Sequence, residues 1–263
     1  MGIGDQIMGS GMAKGASLRG KRIAFGENGR IIWDQHSEMM FRGNPNIAPP
    51  GTERSSDLEW IPYFKGHRLY NHREGDRWVW NLDFHAIPGE IWLSRQEKQF
   101  ARESLGRRDF IVIEPNVPAF KSVALNKQWP VHRYAEVAAK LMSTGHDVVQ
   151  FYSGKGGFRI PGVRTVNTPT FRIAAAVLAR AALYIGAEGG LHHAAAALNI
   201  PGVVLFGGFI PPSVTGYDSH TNLTGGAEAC GSLLTCKHCK MAMEAISTSD
   251  VLRAAQSHLK VAA

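Results

Sequence analysis

Cysteine is scarce in this chain: three in 263 residues, at Cys230, Cys236 and Cys239. Three thiols do not make a disulfide framework for a chain of this length, so the sequence predicts a protein of a reducing compartment. No apolar run approaches the roughly 20 residues that a bilayer-spanning helix needs. Met1 to Ser10 lacks a basic stretch followed by an apolar block and does not read as a secretory signal. There is no internal repeat and no low-complexity tract. A dense basic tract is also missing. The formal charge is +7, which favours anionic partners. Yet the positive residues are scattered, as at Lys14, Arg19, Lys21, Arg22, Lys127 and Arg133. Dispersed charge argues against a nucleic-acid partner. It leaves phosphorylated small molecules, or peripheral contact with a membrane surface. The expectation is a cytoplasmic protein, open to peripheral contact at the inner membrane face.

What the chain does have is apolar material for a core: 44% hydrophobic against 19% charged residues, which excludes wholesale disorder. Its two halves differ in texture. Residues 1–105 carry every tryptophan except Trp129, in short apolar stretches broken by Gly, Pro and Asn. Helix is expected over Asp5–Leu18, and strand over Lys21–Phe25, Ile31–Trp33, Leu58–Ile61 and Trp78–Trp80. Residues 106–263 alternate more regularly. Phe110–Ile113 is a short continuous apolar run, as in a buried parallel strand, and Asp147–Tyr152, Leu183–Ile185 and Val203–Phe206 are the further strands expected. Val131–Ser143, Phe171–Ala182, His192–Leu198 and Asp250–Leu259 have helical spacing, the last with Thr248 or Ser249 as N-cap. This alternation predicts an α/β fold with a parallel sheet covered on both faces. Ligands of such sheets bind at the carboxyl ends of the strands.

Four segments could carry chemistry. In Gly186-Ala187-Glu188-Gly189-Gly190-Leu191-His192-His193-Ala194, a strand ends and an Ala-rich helix begins. Gly189 and Gly190 allow close backbone approach and positive φ. The helix start offers unpaired N–H groups and partial positive charge, which suit a phosphate. Glu188 would be repelled by a diphosphate but could accept hydrogen bonds from sugar hydroxyls. The alternative is a packing turn with two surface histidines. Lys127 precedes a helix opened by Pro130, where it could reach a diphosphate over the same sheet edge; the alternative is a solvated surface lysine. Asp5, in Gly2-Ile3-Gly4-Asp5, reads as a helix N-cap or as a general base in an interdomain cleft. Cys236-x-x-Cys239 with Cys230 could begin a zinc site, but a second ligand pair at proper spacing is missing. Reduced, partly buried thiols are the expectation, with no metal and no cofactor.

Taken in order, these segments resemble the heptosyltransferase-type glycosyltransferases, family nine of the sugar transferases. The resemblance rests on Ile185 to Pro201 followed by Val203-Val204-Leu205-Phe206-Gly207, on Lys127 before Trp129-Pro130, and on Met243 to Val251 after the cysteines. Gly4-Asp5 and Asn44-Pro45-Asn46-Ile47 match scattered points of the first half. The family has Asp where this chain has Glu188, a hydroxyl residue at Gly189, and a strand that ends in Gly-Asp. The resemblance implies a GT-B arrangement: two Rossmann-like domains with parallel sheets facing a cleft. Residues 1–105 would be a short acceptor-side domain and residues 106–263 the nucleotide-sugar donor domain. It implies that Lys127, Gly189, Gly190 and His193 hold the donor diphosphate, with Glu188 contacting the donor and Gly4 and His192 among the substrate-binding residues. Asp5 would be the general base in an inverting, metal-independent transfer to a hydroxyl of a glycan or lipid-linked acceptor. A non-catalytic nucleotide-sugar binder or partner subunit, and a nucleotide-sugar epimerase, are the alternatives.

Overall fold

The computed structural model describes residues 1–106, 109–117, 122–154 and 156–261. The first half opens with helix α1 (Ile3–Ser17). Strand β1 (Arg22–Glu27) pairs in parallel with β3 (Leu58–Ile61) and antiparallel with the short β2 (Arg30–Ile31). Asn28 and Gly29, with φ of 51° and 70°, turn β1 into β2. Asn-Gly suits a two-residue hairpin whose central residues both need positive φ. The strand expected over Ile31–Trp33 stops at Ile31, although Ile32 N still donates to Phe25 O at 2.8 Å. Helix α2 (Gln35–Phe41) follows Asp34, whose carboxylate accepts from Ser37 N. An antiparallel hairpin of β4 (Asn71–Glu74) and β5 (Arg77–Trp80) stands apart from the first sheet. Helix α3 (Arg95–Leu105) begins with a reciprocal Ser94–Glu97 capping box.

The second half is one six-stranded sheet. In chain order it runs β6 (Phe110–Glu114), α4 (Val131–Ser143), β7 (Val148–Tyr152), β8 (Arg164–Asn167), α5 (Phe171–Leu178), β9 (Ala181–Ala187), α6 (Gly190–Ala197) and β10 (Gly202–Leu205). There follow α7 (Pro212–Thr215), β11 (His220–Leu223), α8 (Lys237–Ala245) and α9 (Thr248–Val261). All neighbouring strands are parallel, in the order β11-β10-β9-β6-β7-β8. The chain therefore winds outward from β6 in one direction and then, from β9, in the other. That is the doubly wound arrangement, and its switch point lies between β6 and β9.

Alternation along the strands sorts the core. Ile111, Ile113, Leu183, Ile185, Val203 and Leu205 pack on one face, with Val137 and Leu141 of α4 and Val251 and Ala255 of α9. Phe110, Val112, Tyr184 and Val204 face the other side and join Ile7 and Met8 of α1, Val177 of α5 and Ala194 of α6. This second cluster runs without a break into Phe25, Phe41 and Tyr63 of the first half. Glycine in α1, which weakens an isolated helix, has a packing reason: a Cβ on Gly9 would lie 2.4 Å from the Tyr63 ring.

Other expected boundaries move as well. The helix predicted over Phe171–Ala182 ends at Leu178, and β9 already begins at Ala181. An alanine run carries no periodicity with which to mark that junction. Strand β9 continues past Ile185, because Gly186 and Ala187 pair with Val204 and Leu205. Helix α9 is capped by Ser247, not by Thr248 or Ser249: Ser247 Oγ accepts from Asp250 N at 3.1 Å, and Ser247 N donates to the Asp250 carboxylate. Among the described residues no helix is long and apolar enough to cross a membrane.

Candidate functional site

Strands β6 and β9 end side by side, with Glu114 opposite Gly186. The two loops that leave this switch point carry Lys127 and the Glu188–Gly190 turn. A 3₁₀ segment, Ser122–Lys127, brings Lys127 back over the sheet edge. Lys127 is no surface lysine. Its side chain is 19% exposed and forms an ion pair with Glu188, itself 4% exposed. Its ammonium also lies 5.1 Å from the Phe209 ring centre. The second Glu188 oxygen lies 3.4 Å from His193 Nε2. His193 Nδ1 lies 2.8 Å from the Tyr217 hydroxyl. Burial and the nearby Glu188 charge hold the Tyr217 hydroxyl protonated, well above its usual range. It therefore donates to Nδ1, which leaves the Nε2 proton facing Glu188. Burial opposes ionisation of Glu188, but Lys127 and then His193 more than offset it and keep the carboxyl well below the usual carboxylate range.

Both histidines are buried, so the surface-histidine alternative falls. Helix α6 lies between the large sheet and α1, which closes over its first turn. His192 packs its ring against His193, Phe206, Tyr217 and His220 at centroid distances of 4.5–5.5 Å. Neither His192 ring nitrogen has a hydrogen-bond partner among the described residues. Burial, and then the neighbouring His193, push it well below its ordinary value, so it stays neutral. The expectation of positive φ at Gly189 and Gly190 is corrected. Gly189, with φ of 161°, is extended backbone, and Gly190 is the first residue of α6. What their small size does is spatial. A Cβ at Gly189 would meet nothing within 4 Å, whereas one at Gly190 would lie 3.1 Å from the Phe171 ring.

Gly4 and Asp5 do not end a strand and Asp5 is not an N-cap. They lie in the first turn of α1, whose N-cap is Gly2. Asp5, three residues on, accepts from Gly2 N at 2.6 Å. Its other carboxylate oxygen accepts from the Tyr70 hydroxyl. The Arg68 guanidinium stands 3.4 Å away and also lies 4.8 Å from the Trp78 ring centre. Burial and the Asp5 charge raise Tyr63 and Tyr70 well above the usual phenol range, so both remain donors. Tyr63 donates to Asp5 O at 2.9 Å. The same turn of α1 touches the start of α6: a Cβ at Gly4 would lie 2.8 Å from His193 Cδ2 and 3.5 Å from Gly190 Cα. The fold thus brings Gly4, Asp5, Lys127, Glu188, Gly190, His192 and His193 to one place. It adds Arg68, Tyr70 and Tyr217, which no local pattern marked.

The switch point holds one more carboxyl. Glu114 is buried, and that burial raises it to about 7, although Asn116 donates to it from both its backbone and its side chain. A raised acid binds its proton more tightly in the folded state. Its contribution to stability is complete below its unfolded value near 4.5 and is lost as pH rises through 7. We expect the stability of the wild type relative to Glu114→Gln to fall by on the order of 3 kcal/mol between pH 4 and pH 8, at about 1.4 kcal/mol per unit. Urea denaturation across that range measures it. Parallel curves for the two proteins would show that Glu114 titrates normally.

Residues 66–242 match the family described as glycosyltransferase family 9 (heptosyltransferase). No curated protein matches the chain. Among solved structures it is similar to the iron-containing dodecameric glycosyltransferase TibC of enterotoxigenic E. coli. The identity is 18% and the TM-score 0.63, covering 99% of this chain and 76% of that one. It is also similar to E. coli ADP-heptose LPS heptosyltransferase II, at 22% identity and a TM-score of 0.48, covering 66% of this chain and 54% of that one. A family 9 glycosyltransferase of Veillonella parvula gives 18% and 0.48, with 66% and 55% covered. The chain thus spans about half the length of these last two structures. With a parallel α/β sheet wound from β6, a GT-B-like neighbour over nearly its whole length, and a family match across most of its residues, the chain belongs to glycosyltransferase family 9.

Proposed function

We propose that the chain transfers a sugar from a nucleotide-diphosphate donor to a hydroxyl of a glycan or lipid-linked acceptor. Residues 1–105 form the acceptor side and residues 106–263 the donor side. The reading is carried by one observation: Gly4 lies against His193 and Gly190, so the Asp5 turn and the Lys127–Glu188–His193 cluster share one site. The donor diphosphate lies at the start of α6, where free N–H groups and the helix dipole favour it. Lys127 and His193 supply donors to the leaving diphosphate as its charge develops. That makes a metal at the reacting centre unnecessary. Glu188 has both oxygens engaged, so it meets the donor chiefly by holding Lys127 and His193 in place. The acceptor oxygen attacks the anomeric carbon as the carbon–oxygen bond to the diphosphate breaks, which inverts that centre. Asp5 takes the hydroxyl proton. Acceptance of a lipid-linked glycan would bring the chain to the inner membrane face as a peripheral protein.

The test is thermal unfolding with ADP, UDP, GDP and their sugar conjugates. At ligand near 100 times Kd, stabilisation of about 2.7 kcal/mol is expected for the matching nucleotide. If no nucleotide shifts the transition of the folded wild type, the donor site is wrong. A non-catalytic nucleotide-sugar binder is the second reading. It is favoured by the engagement of the Asp5 carboxylate with Gly2, Tyr70 and Arg68. That reading predicts the same stabilisation without release of nucleoside diphosphate on any acceptor.

A further inference from the structure

The three cysteines converge. Cys230 Sγ lies 3.7 Å from Cys236 Sγ and 3.3 Å from Cys239 Sγ, and all three sulfurs lie within 4.8 Å of one another. Thiolates bound tetrahedrally to one ion at about 2.3 Å sit about 3.8 Å apart, and the two separations from Cys230, 3.7 and 3.3 Å, lie close to it. The backbone is already arranged for them. Cys236 caps α8, its sulfur accepting from Cys239 N at 3.3 Å. Cys230 N donates to Gly208 O at 2.9 Å, which ties the first cysteine to the loop after β10. Cys236 N donates to Asn126 Oδ1 at 3.0 Å, and Asn126 Nδ2 donates to Ser232 O and Leu234 O at 3.1 and 2.8 Å. Cys239 is buried, while Cys230 and Cys236 are half-buried.

We propose that Cys230, Cys236 and Cys239 form a thiolate site for one thiophilic divalent ion, zinc or ferrous iron. Each thiol gives up its proton to solvent as its sulfur binds. A water reaching in beside the half-buried Cys230 and Cys236 completes the tetrahedron. His238 does not fill that place here, because its Nε2 is bonded to Glu228 O at 2.8 Å. The ion fastens α8 to the loop after β10 and, through Asn126, to the segment that ends in Lys127. This site is separate from the reacting centre and does not depend on the transferase reading.

Metal content of the full chain, purified under reducing conditions without chelator, tests the proposal, with zinc and iron read as separate masses. About one equivalent of the two together is expected, one ion for the three thiolates and the water. Metal-free protein titrated with Co²⁺ alone should develop a sulfur-to-cobalt charge-transfer band and tetrahedral visible bands, saturating near one equivalent. Cys236→Ser and Cys239→Ser should each lose both the metal and the bands. If those variants do not fold, the wild-type cobalt spectrum decides. A folded wild type that holds less than about a tenth of an equivalent and gives no cobalt bands overturns the site. So does metal retained in both serine variants, or a disulfide between two of the three sulfurs that persists in reductant.

Discussion

Lys127→Met should destabilise the protein by about 3 kcal/mol, because it strands Glu188 as a buried carboxylate without its cation. Glu188 is 6% exposed as a residue, and its low carboxyl value depends first on Lys127. Breaking such a pair from one side costs about 3–5 kcal/mol. The lower figure applies because His193 remains 3.4 Å away and can share the charge. Asymmetry sharpens the expectation. Glu188→Gln leaves Lys127 with access to water, since that side chain is 19% exposed, and so should cost less. The double variant Lys127→Met with Glu188→Gln should recover much of the loss, since it buries no lone charge. Chemical denaturation of the four proteins gives the coupling energy directly. Nucleotide affinity should fall in both variants that lack Lys127, including the one whose stability is restored. A Lys127→Met protein within about 1 kcal/mol of the wild type would mean that Glu188 is not held by this pair.

How much of the fold and site is legible in the sequence follows from where each residue finds its partner. Strands β6, β7, β9 and β10 are buried on both faces, so apolar residues dominate them despite Glu114 and Gln150, and they can be read directly. Edge strands β8 and β11 cannot. Arg164–Asn167 buries only Val166, and His220–Leu223 buries only His220, so neither leaves an apolar signature. Helix α3 is charged and largely exposed, with only Ala101 and Leu105 buried, yet Ser94-x-x-Glu97 is a start signal carried by the sequence itself. The same holds for the Asn28-Gly29 hairpin turn. In the site, Lys127 and the Glu188–His193 turn are legible because each follows a strand of the winding sheet. Arg68 and Tyr70 are not. They act on Asp5 from more than 60 residues away, through a contact that only the finished fold creates. Tyr217 reaches His193 from the loop after α7 in the same way. The burial of His192 is equally hidden, because it depends on α1 packing over α6.

Asp5→Asn should lower kcat by about 10²–10⁴-fold, the usual contribution of a positioned general base, while donor affinity changes little. The substitution suits the site. The amide oxygen can still accept from Gly2 N, while the amide N–H donates to the Tyr70 oxygen in place of the present bond, so the α1 turn and its contact with His193 should persist. What disappears is the charge that faces Arg68 and the ability to take a proton. For Asp5 to act as a base, one carboxylate oxygen must remain available to the acceptor hydroxyl. Tyr70 and Arg68 then fix the orientation of the carboxylate without taking its charge. Tyr70→Phe should therefore lower kcat less than Asp5→Asn and leave the donor-induced thermal shift intact. The measurements are initial rates of nucleoside diphosphate release at saturating donor, alongside the thermal shift with donor alone. Turnover of Asp5→Asn within about threefold of the wild type would remove Asp5 as the base, since that is far below the smallest effect expected of one. Equal loss of turnover and of the donor-induced shift would instead assign Asp5 to holding α1 against His193, with the proton accepted elsewhere.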